Sequence, residues 1–198
     1  MDIPIIILAA GNSSRLGRPK QLLPYQGKSL LRHAVDTALL AKTGEVIVVV
    51  GSRANQIQKD INRLSVKIVM NHGWEAGMGG SISTGMQQVP QMSVGVLLML
   101  CDQPQLSADH LIDLARSHKE KHHPIVASSY GGQLGVPACF SSAYFSQLSH
   151  LSGQTGAKKL LIQHQPLVHS LPFPKGMLDV DTEEDYQRLI STESDSQS

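Results

Sequence analysis

An α/β protein with a doubly wound, mostly parallel sheet in three α/β/α layers is the fold class that this 198-residue sequence predicts. Three observations predict it. Ile5–Ala10, Val46–Val50 and Val94–Cys101 are short, continuous apolar runs, which is how strands read when both faces are covered. Segments with helical apolar spacing lie between such runs, so strand and helix alternate with a period of ~20–25 residues. Glycine or small polar residues follow the runs, at the strand ends where open α/β sheets hold their ligands.

In chain order, Ile5-Ile6-Ile7-Leu8 reads as the first strand, β-branched and ending in a glycine loop. Ser29–Lys42 predicts a helix, because Leu30, Leu31, Ala34, Ala38 and Leu39 recur at helical spacing and Gly44 follows the last turn. Glu45–Val50 is the second strand and ends at Gly51. Asn55–Leu64 is an amphipathic helix with Ile57, Ile61 and Leu64 on one face. Val66–Met70 is the third strand, Ser81–Val89 a short helix behind a glycine cluster, and Val94–Leu100 the fourth and most apolar strand. A helix over Ser107–Lys121 and a strand over Ile125–Ser128 follow. Gly131–Phe140 reads as irregular. Helices near Ser142–Ser149 and Ala157–Gln163, extended segments at Leu167–Leu171 and Leu178–Val180, and a helix over Glu183–Ile190 complete the chain. One domain over residues 1–190 is expected, with the polar stretch 191–198 as a frayed tail.

Lys and Arg number 17 against 16 Asp and Glu, a net charge of +1, which removes the footprint of a general nucleic-acid binder. One Trp, four Tyr and three Phe are too few for base-stacking platforms. Cys101 and Cys139 cannot build a disulfide framework and sit at apolar runs, as buried free thiols do. No run approaches the ~18–20 residues of a membrane span. Met1-Asp2-Ile3-Pro4 places no basic residue before the first apolar run, so no signal peptide is expected and the setting is read as cytoplasmic.

The first loop, Ala9-Ala10-Gly11-Asn12-Ser13-Ser14-Arg15-Leu16-Gly17-Arg18-Pro19-Lys20, reads as a phosphate cradle. Gly11 lets the backbone turn and approach a ligand, successive backbone N–H groups can face an anion, and Arg15 and Lys20 supply a fork and a point charge. It is neither of the two commoner phosphate loops. The dinucleotide fingerprint needs glycine where Ser13 stands, and the P-loop ending Gly27-Lys28-Ser29 has Leu22 in place of its first glycine. After the third strand, Gly77, Gly79, Gly80 and Ser81 expose backbone donors at a helix start. Asp102 follows the fourth strand directly, a strand expected beside the first, so its carboxylate faces the cradle where Mg²⁺ could join one or two carboxylates to phosphate oxygens. Asp179 and Asp181 share one face if extended, and Thr182 with Glu183–Asp185 suits a helix start. His118, His122 and His123 read as a solvated helix end.

The pattern L-A-A-G-x-S-x-R-x-G-x-x-K, the stretch Asn71-x-x-Trp74-x-x-Gly77-Met78-x-x-Ser81-Ile82, Asp102-Gln103-Pro104 and Asp179-Val180-Asp181-Thr182-Glu183-Glu184-Asp185 together resemble the MobA-like nucleotidyltransferases. The likeness runs from Ile5 to Leu189 and is to the molybdenum cofactor cytidylyltransferase branch. It implies a Rossmann-like nucleotidyltransferase fold and a Mg²⁺-dependent transfer of a nucleoside monophosphate, CMP from CTP, onto the phosphate of a pterin acceptor such as molybdopterin. Ala10, where the guanylyltransferase branch has glycine, tilts the base toward CTP. The resemblance implies nucleotide contacts at Ala9, Ala10, Gly11, Ser13, Ser14, Arg15, Lys20, Asn71, Gly77, Gly79, Gly80 and Ser81. It assigns catalytic roles to Arg15, Lys20 and Asp102, and the metal to Asp102 with Asp181 preferred over Asp179. Glu183 replaces the family's usual proline. Gly131–Pro137 and Gly153–Lys158 resemble segments near the second substrate, which places acceptor contacts at Gly135, Pro137 and Lys158. There Val136 stands for the usual histidine or asparagine, Gln154 lacks the family's carboxylate and Lys158 replaces its arginine. A molybdoenzyme or its chaperone is the implied downstream partner. Another phosphate acceptor of the sugar or alcohol class, and a non-catalytic cofactor-delivery protein, are the alternatives.

Overall fold

The computed structural model describes residues 2–194. Its elements are β1 (Ile5–Ala9), a small hairpin of β2 (Pro24–Tyr25) and β3 (Lys28–Ser29), α1 (Leu30–Ala41), β4 (Val46–Val50), α2 (Ala54–Ile61), β5 (Lys67–Met70), α3 (Met78–Met86), β6 (Gly95–Leu100), α4 (Ala108–Lys121), β7 (Ile125–Tyr130), β8 (Gln133–Ser141), α5 (Phe145–Ser149), α6 (Ala157–Gln163), β9 (Val168–Pro172) and α7 (Glu183–Ser194). The main sheet has the order β5-β4-β1-β6-β8-β7-β9. β1 pairs in parallel with β4 and β6, β4 with β5, and β7 with β9, while β8 runs antiparallel between β6 and β7.

Alternation within the apolar runs supplies two cores. Ile5, Ile7, Val46, Val48 and Val50 face one side, against Leu31 and Val35 of α1, Ile57 and Ile61 of α2, and Leu111 and Leu114 of α4. Ile6, Leu8, Ile47 and Val49 face the other, against Ile82 and Met86 of α3 and the apolar residues of α5 and α6. Both faces are covered, which is why these strands lack polar alternation. A third cluster joins Leu23, Tyr25 and Leu30 to Val180, Tyr186 and Leu189, so α7 packs on the small hairpin, where the Tyr186 hydroxyl donates to Pro24 O at 2.7 Å. This packing carries residues 179–181 back to the first loop.

The strand order reverses at β1, where β4 and β5 lie on one side and β6 on the other. Leu8 pairs with Leu100, so the first loop and Asp102 leave the sheet side by side. The expected adjacency of the first and fourth apolar strands is therefore present.

Four expectations are corrected. Gly131–Phe140 is not irregular: Gly131 and Gly132, both at positive φ, turn β7 into the nine-residue β8. α1 is closed by Lys42 in the left-handed conformation, not by Gly44. Gly44 is instead required by space, since a Cβ there would lie 2.8 Å from the backbone of Ile3 and Pro4. α3 begins at Met78, so Gly79, Gly80 and Ser81 lie inside its first turn rather than ahead of it. Leu178–Val180 forms no strand, and Val180 N instead donates to Asp102 O at 3.2 Å. The last helix continues to Ser194, and the remainder of the expected tail, 195–198, lies outside the described residues.

Candidate functional site

Two chambers open along the carboxyl ends of the strands and share Leu8, Met78 and Leu100 as a common wall. The first, about 450 Å³, is lined by the first loop, Trp74, Gly77, Ser81, Asp102 and Gln154. The second, about 500 Å³, is lined by Tyr130, Gly135, Val136, Lys158, Met177 and Asp179 among others.

The first loop is held from within. Ser13 takes a left-handed φ of 53°, and its hydroxyl accepts from Lys20 N at 3.1 Å. Gln21, buried to 1% exposure, donates its amide to Ala9 O and Gly11 O, each at 2.9 Å. These bonds set the curvature of the loop from within. Ala10, Gly11, Ser13, Ser14 and Lys20 line the first chamber, whereas Ala9 is buried as the last residue of β1.

The Lys20 ammonium stands between two carboxylates. It donates to Asp102 Oδ2 at short range and to Asp181 Oδ1 at 2.8 Å. The Arg15 guanidinium takes the other Asp181 oxygen at 2.8 Å, and Arg18 grips Glu183 with bonds of 2.8 and 2.9 Å, so two arginines tie the loop to the start of α7. Burial alone would lower the Lys20 pKa, but the charge of Asp102 and the bonds to both carboxylates outweigh it and raise it. Burial works against the charge of Asp181 as well, and the Lys20 and Arg15 contacts prevail, holding that carboxyl below its usual value. Asp102 is 5% exposed, and its Oδ1 is buried without a partner.

Asp179 lines the second chamber, whereas Asp181 is held by Lys20 and Arg15. Burial and the neighbouring Asp102 charge push its carboxyl up to about 6, and its Oδ1 too is buried without a partner. A group of three or more His, Cys, Asp or Glu placed to hold a metal is absent among the described residues. Asp102 and Asp181 nevertheless fit Mg²⁺ or Mn²⁺ as two hard oxygen donors whose shell phosphate and water would complete, and the unpartnered Asp102 Oδ1 is an atom such an ion would satisfy.

The remaining expected positions divide. Gly77 and Ser81 line the first chamber. Asn71 does not: it is 6% exposed, donates to Ser81 Oγ at 3.0 Å and accepts from Gly73 N at 3.0 Å, so it braces this loop. Gly79 packs on the backbone of Ser152, where a Cβ would come within 2.6 Å, and its N–H donates to Gly153 O at 3.0 Å. Gly80 lies near the Asn71 amide. Gly135 and Lys158 line the second chamber, where Lys158 Nζ donates to Gln133 Oε1 at 2.6 Å. Pro137 sits behind it, and its carbonyl accepts from Ser128 Oγ at 2.7 Å.

Sequence reasoning missed the bracing of the second chamber. Val136 O accepts from Tyr130 Oη at 3.0 Å and from Gln103 Nε2 at 3.3 Å. Met78 and Met177, 42% and 67% exposed, flank the same apolar space. The only hint in the sequence was that Gln103 adjoins Asp102. The histidine cluster is also less solvated than expected: His118 is buried, with its ring nitrogens against His123 O and Val94 O. Both cysteines are free and buried, and burial pushes the Cys101 thiol up to about 12.

Residues 5–167 match the MobA-like NTP transferase domain. The nicotine blue oxidoreductase of Paenarthrobacter nicotinovorans is 33% identical over 96% of this chain and 98% of its own. The purine catabolism protein PucB of Bacillus subtilis is 34% identical over 93% and 94%. Among solved structures, Rv0371c of Mycobacterium tuberculosis superposes with a TM-score of 0.86 at 32% identity, covering 96% of this chain and 98% of that one, and has also been crystallised in complex with manganese.

Proposed function

Because the chain belongs to the MobA-like NTP transferase family, we propose that it moves CMP from CTP onto the terminal phosphate of a molybdopterin-type pterin, using Mg²⁺ and releasing pyrophosphate. The observation that carries this reading is the Lys20 ammonium seated between Asp102 and Asp181 at the mouth of a backbone-lined loop, with a second, apolar chamber sharing one wall.

The triphosphate lies along Ala10–Ser14, with Lys20 and Arg15 as its cationic partners, and Gly77 and Ser81 border the base and ribose. The acceptor fills the second chamber against Gly135 and Val136, with Lys158 at its edge. An anionic oxygen of the acceptor phosphate attacks the α-phosphorus. The bond from that phosphorus to the α–β bridging oxygen breaks, and pyrophosphate leaves with the electron pair. The attacking oxygen carries no proton, so the chain needs no general base. Its contribution is alignment across the shared wall and neutralisation of the charge that grows on the leaving phosphates. Asp102 and Asp181 would hold the metal, which when bound withdraws charge from the phosphate oxygens.

Retention of two carboxylates at the loop favours catalysis over mere delivery of a cofactor. Val136, Gln154 and Lys158, where the resemblance breaks, favour as a second reading the same transfer to another phosphate-bearing acceptor. The Paenarthrobacter relative is named an oxidoreductase, but in this chain Ser13 occupies the place of the second glycine in a dinucleotide loop. Pyrophosphate release from CTP with Mg²⁺ and molybdopterin tests the proposal. Asp102→Asn is expected to lower the rate on the order of 10²–10³-fold with the fold unchanged; wild-type turnover by this variant would remove Asp102 from the mechanism.

A further inference from the structure

Lys20 already occupies the two groups to which the reaction assigns the metal. Its ammonium bonds Asp102 Oδ2 and, at 2.8 Å, Asp181 Oδ1, and Arg15 holds the second Asp181 oxygen. The Lys20 and Asp102 side chains are only 17% and 7% exposed, so this pair is shielded from water. The one free oxygen, Asp102 Oδ1, is buried. Among the described residues, no third His, Cys, Asp or Glu joins these two to make a metal-holding group.

A divalent cation entering by itself would meet two carboxylates that are already neutralised. It would need six or more oxygens and find few. It would also have to share a partly buried site with the Lys20 ammonium, and like charges at such distances repel strongly where water is scarce. A triphosphate removes both obstacles. Its oxygens complete the coordination shell, and its negative charge offers Lys20 and Arg15 new partners a short distance along the loop.

We propose that Lys20 is an exchangeable counter-ion that makes divalent-metal binding conditional on the triphosphate, an inference that rests on the assignment of Asp102 and Asp181 as metal ligands. Metal enters with the nucleotide as Lys20 moves from carboxylate to phosphate. When pyrophosphate departs, Lys20 returns to Asp102 and Asp181, and the metal leaves with the product.

Binding of Mn²⁺ tests this without turnover. Protein-bound Mn²⁺ is measured by water-proton relaxation on the full chain, with and without CTP, after subtracting CTP-only blanks. Wild type is expected to hold Mn²⁺ at least about tenfold more tightly with CTP than without it, and Lys20→Met to hold Mn²⁺ alone about tenfold more tightly than wild type does. Lys20→Arg, which keeps the cation, is expected to exclude Mn²⁺ alone as wild type does, and thermal melts confirm that each variant is folded. Equal Mn²⁺ affinity of folded Lys20→Met and wild type without nucleotide would overturn the counter-ion role. So would wild-type affinity that CTP does not change. Asp102→Asn separates the two layers. If it abolishes Mn²⁺ binding while Lys20→Met gains nothing, the metal assignment stands and the exchange fails. If it changes nothing, the metal assignment fails and the exchange with it.

Discussion

Asp179 shows how burial and charged neighbours can divide the roles of two carboxylates two residues apart. Asp181 has Lys20 and Arg15 as partners, and its carboxyl is held low. Asp179 faces the second chamber, and burial first, then the Asp102 charge, lifts its pKa to about 6; Gln103, Asp181 and Lys20 contribute smaller effects of mixed sign. A folded-state pKa above the unfolded value means that the native protein binds the extra proton between about pH 4 and 6. This group's contribution therefore destabilises the fold progressively as pH rises through that window, and the loss is complete above it. Asp179→Asn should raise the melting temperature of the ligand-free protein at pH 7.5, with the gain shrinking below pH 6 and gone near pH 4. A gain that is the same at every pH would contradict the charged state assigned to Asp179. Gln103 is the second residue of this kind. Gln103→Leu removes the bond to Val136 O, and loss of about 1 kcal/mol of positioning should raise the acceptor KM about fivefold. Steady-state kinetics should show the CTP KM unchanged; equal rises in both constants would point to a merely structural role. The sequence made Lys20, Arg15, Asp102 and Asp181 legible because each is a charged residue inside one of three recognisable stretches at strand ends. It hid the roles of Gln103 and Tyr130, and it named Asp179 without its separate place, because their work depends on which chamber the folded backbone turns them toward.

At the scale of elements, the glycines of the segment 77–80 serve packing more than the sequence suggested. A Cβ at Gly79 would lie 2.6 Å from the Ser152 backbone, and one at Gly77, where φ is +125°, 2.4 Å from Gly153 O. α3 is thereby pressed against the loop that carries Gln154. Gly79→Ala should cost ~1–3 kcal/mol by overpacking and weaken CTP binding, as read by urea unfolding and calorimetry; full stability would show that the loop moves aside freely. Thr182 does cap the last helix as its neighbours suggested: its hydroxyl accepts from Asp185 N at 3.2 Å, while Asp185 Oδ2 accepts from Thr182 N at 2.9 Å. β8 was the element least legible. Gly135 and Pro137 interrupt its propensity, and pairing with both β6 and β7 makes it a strand. Helix and strand boundaries elsewhere shifted by a few residues because caps such as Lys42 depend on a left-handed conformation that a lysine does not advertise.

For the whole molecule, the parallel core was readable because Ile5–Ala9, Val46–Val50 and Gly95–Leu100 are apolar on both faces and leave no other arrangement for their side chains. What could not be read was the path of the C-terminal segment. Val180 docks on Asp102 O and α7 on the small hairpin, and this return closes the site by bringing Asp181 across to Lys20. Near-neutral net charge thus conceals a local arrangement in which Arg15, Lys20, Asp102, Asp179 and Asp181 gather at one end of the sheet. The proposed reaction is nucleotidyl transfer across the wall between the two chambers. Its most direct test is to incubate the protein with Mg²⁺, molybdopterin and CTP labelled at the α-phosphate. One pyrophosphate is expected for each label carried into the pterin product, with GTP a poorer donor. No pyrophosphate with CTP, GTP, ATP or UTP, in the presence of the pterin or of sugar and alcohol phosphates, would contradict it.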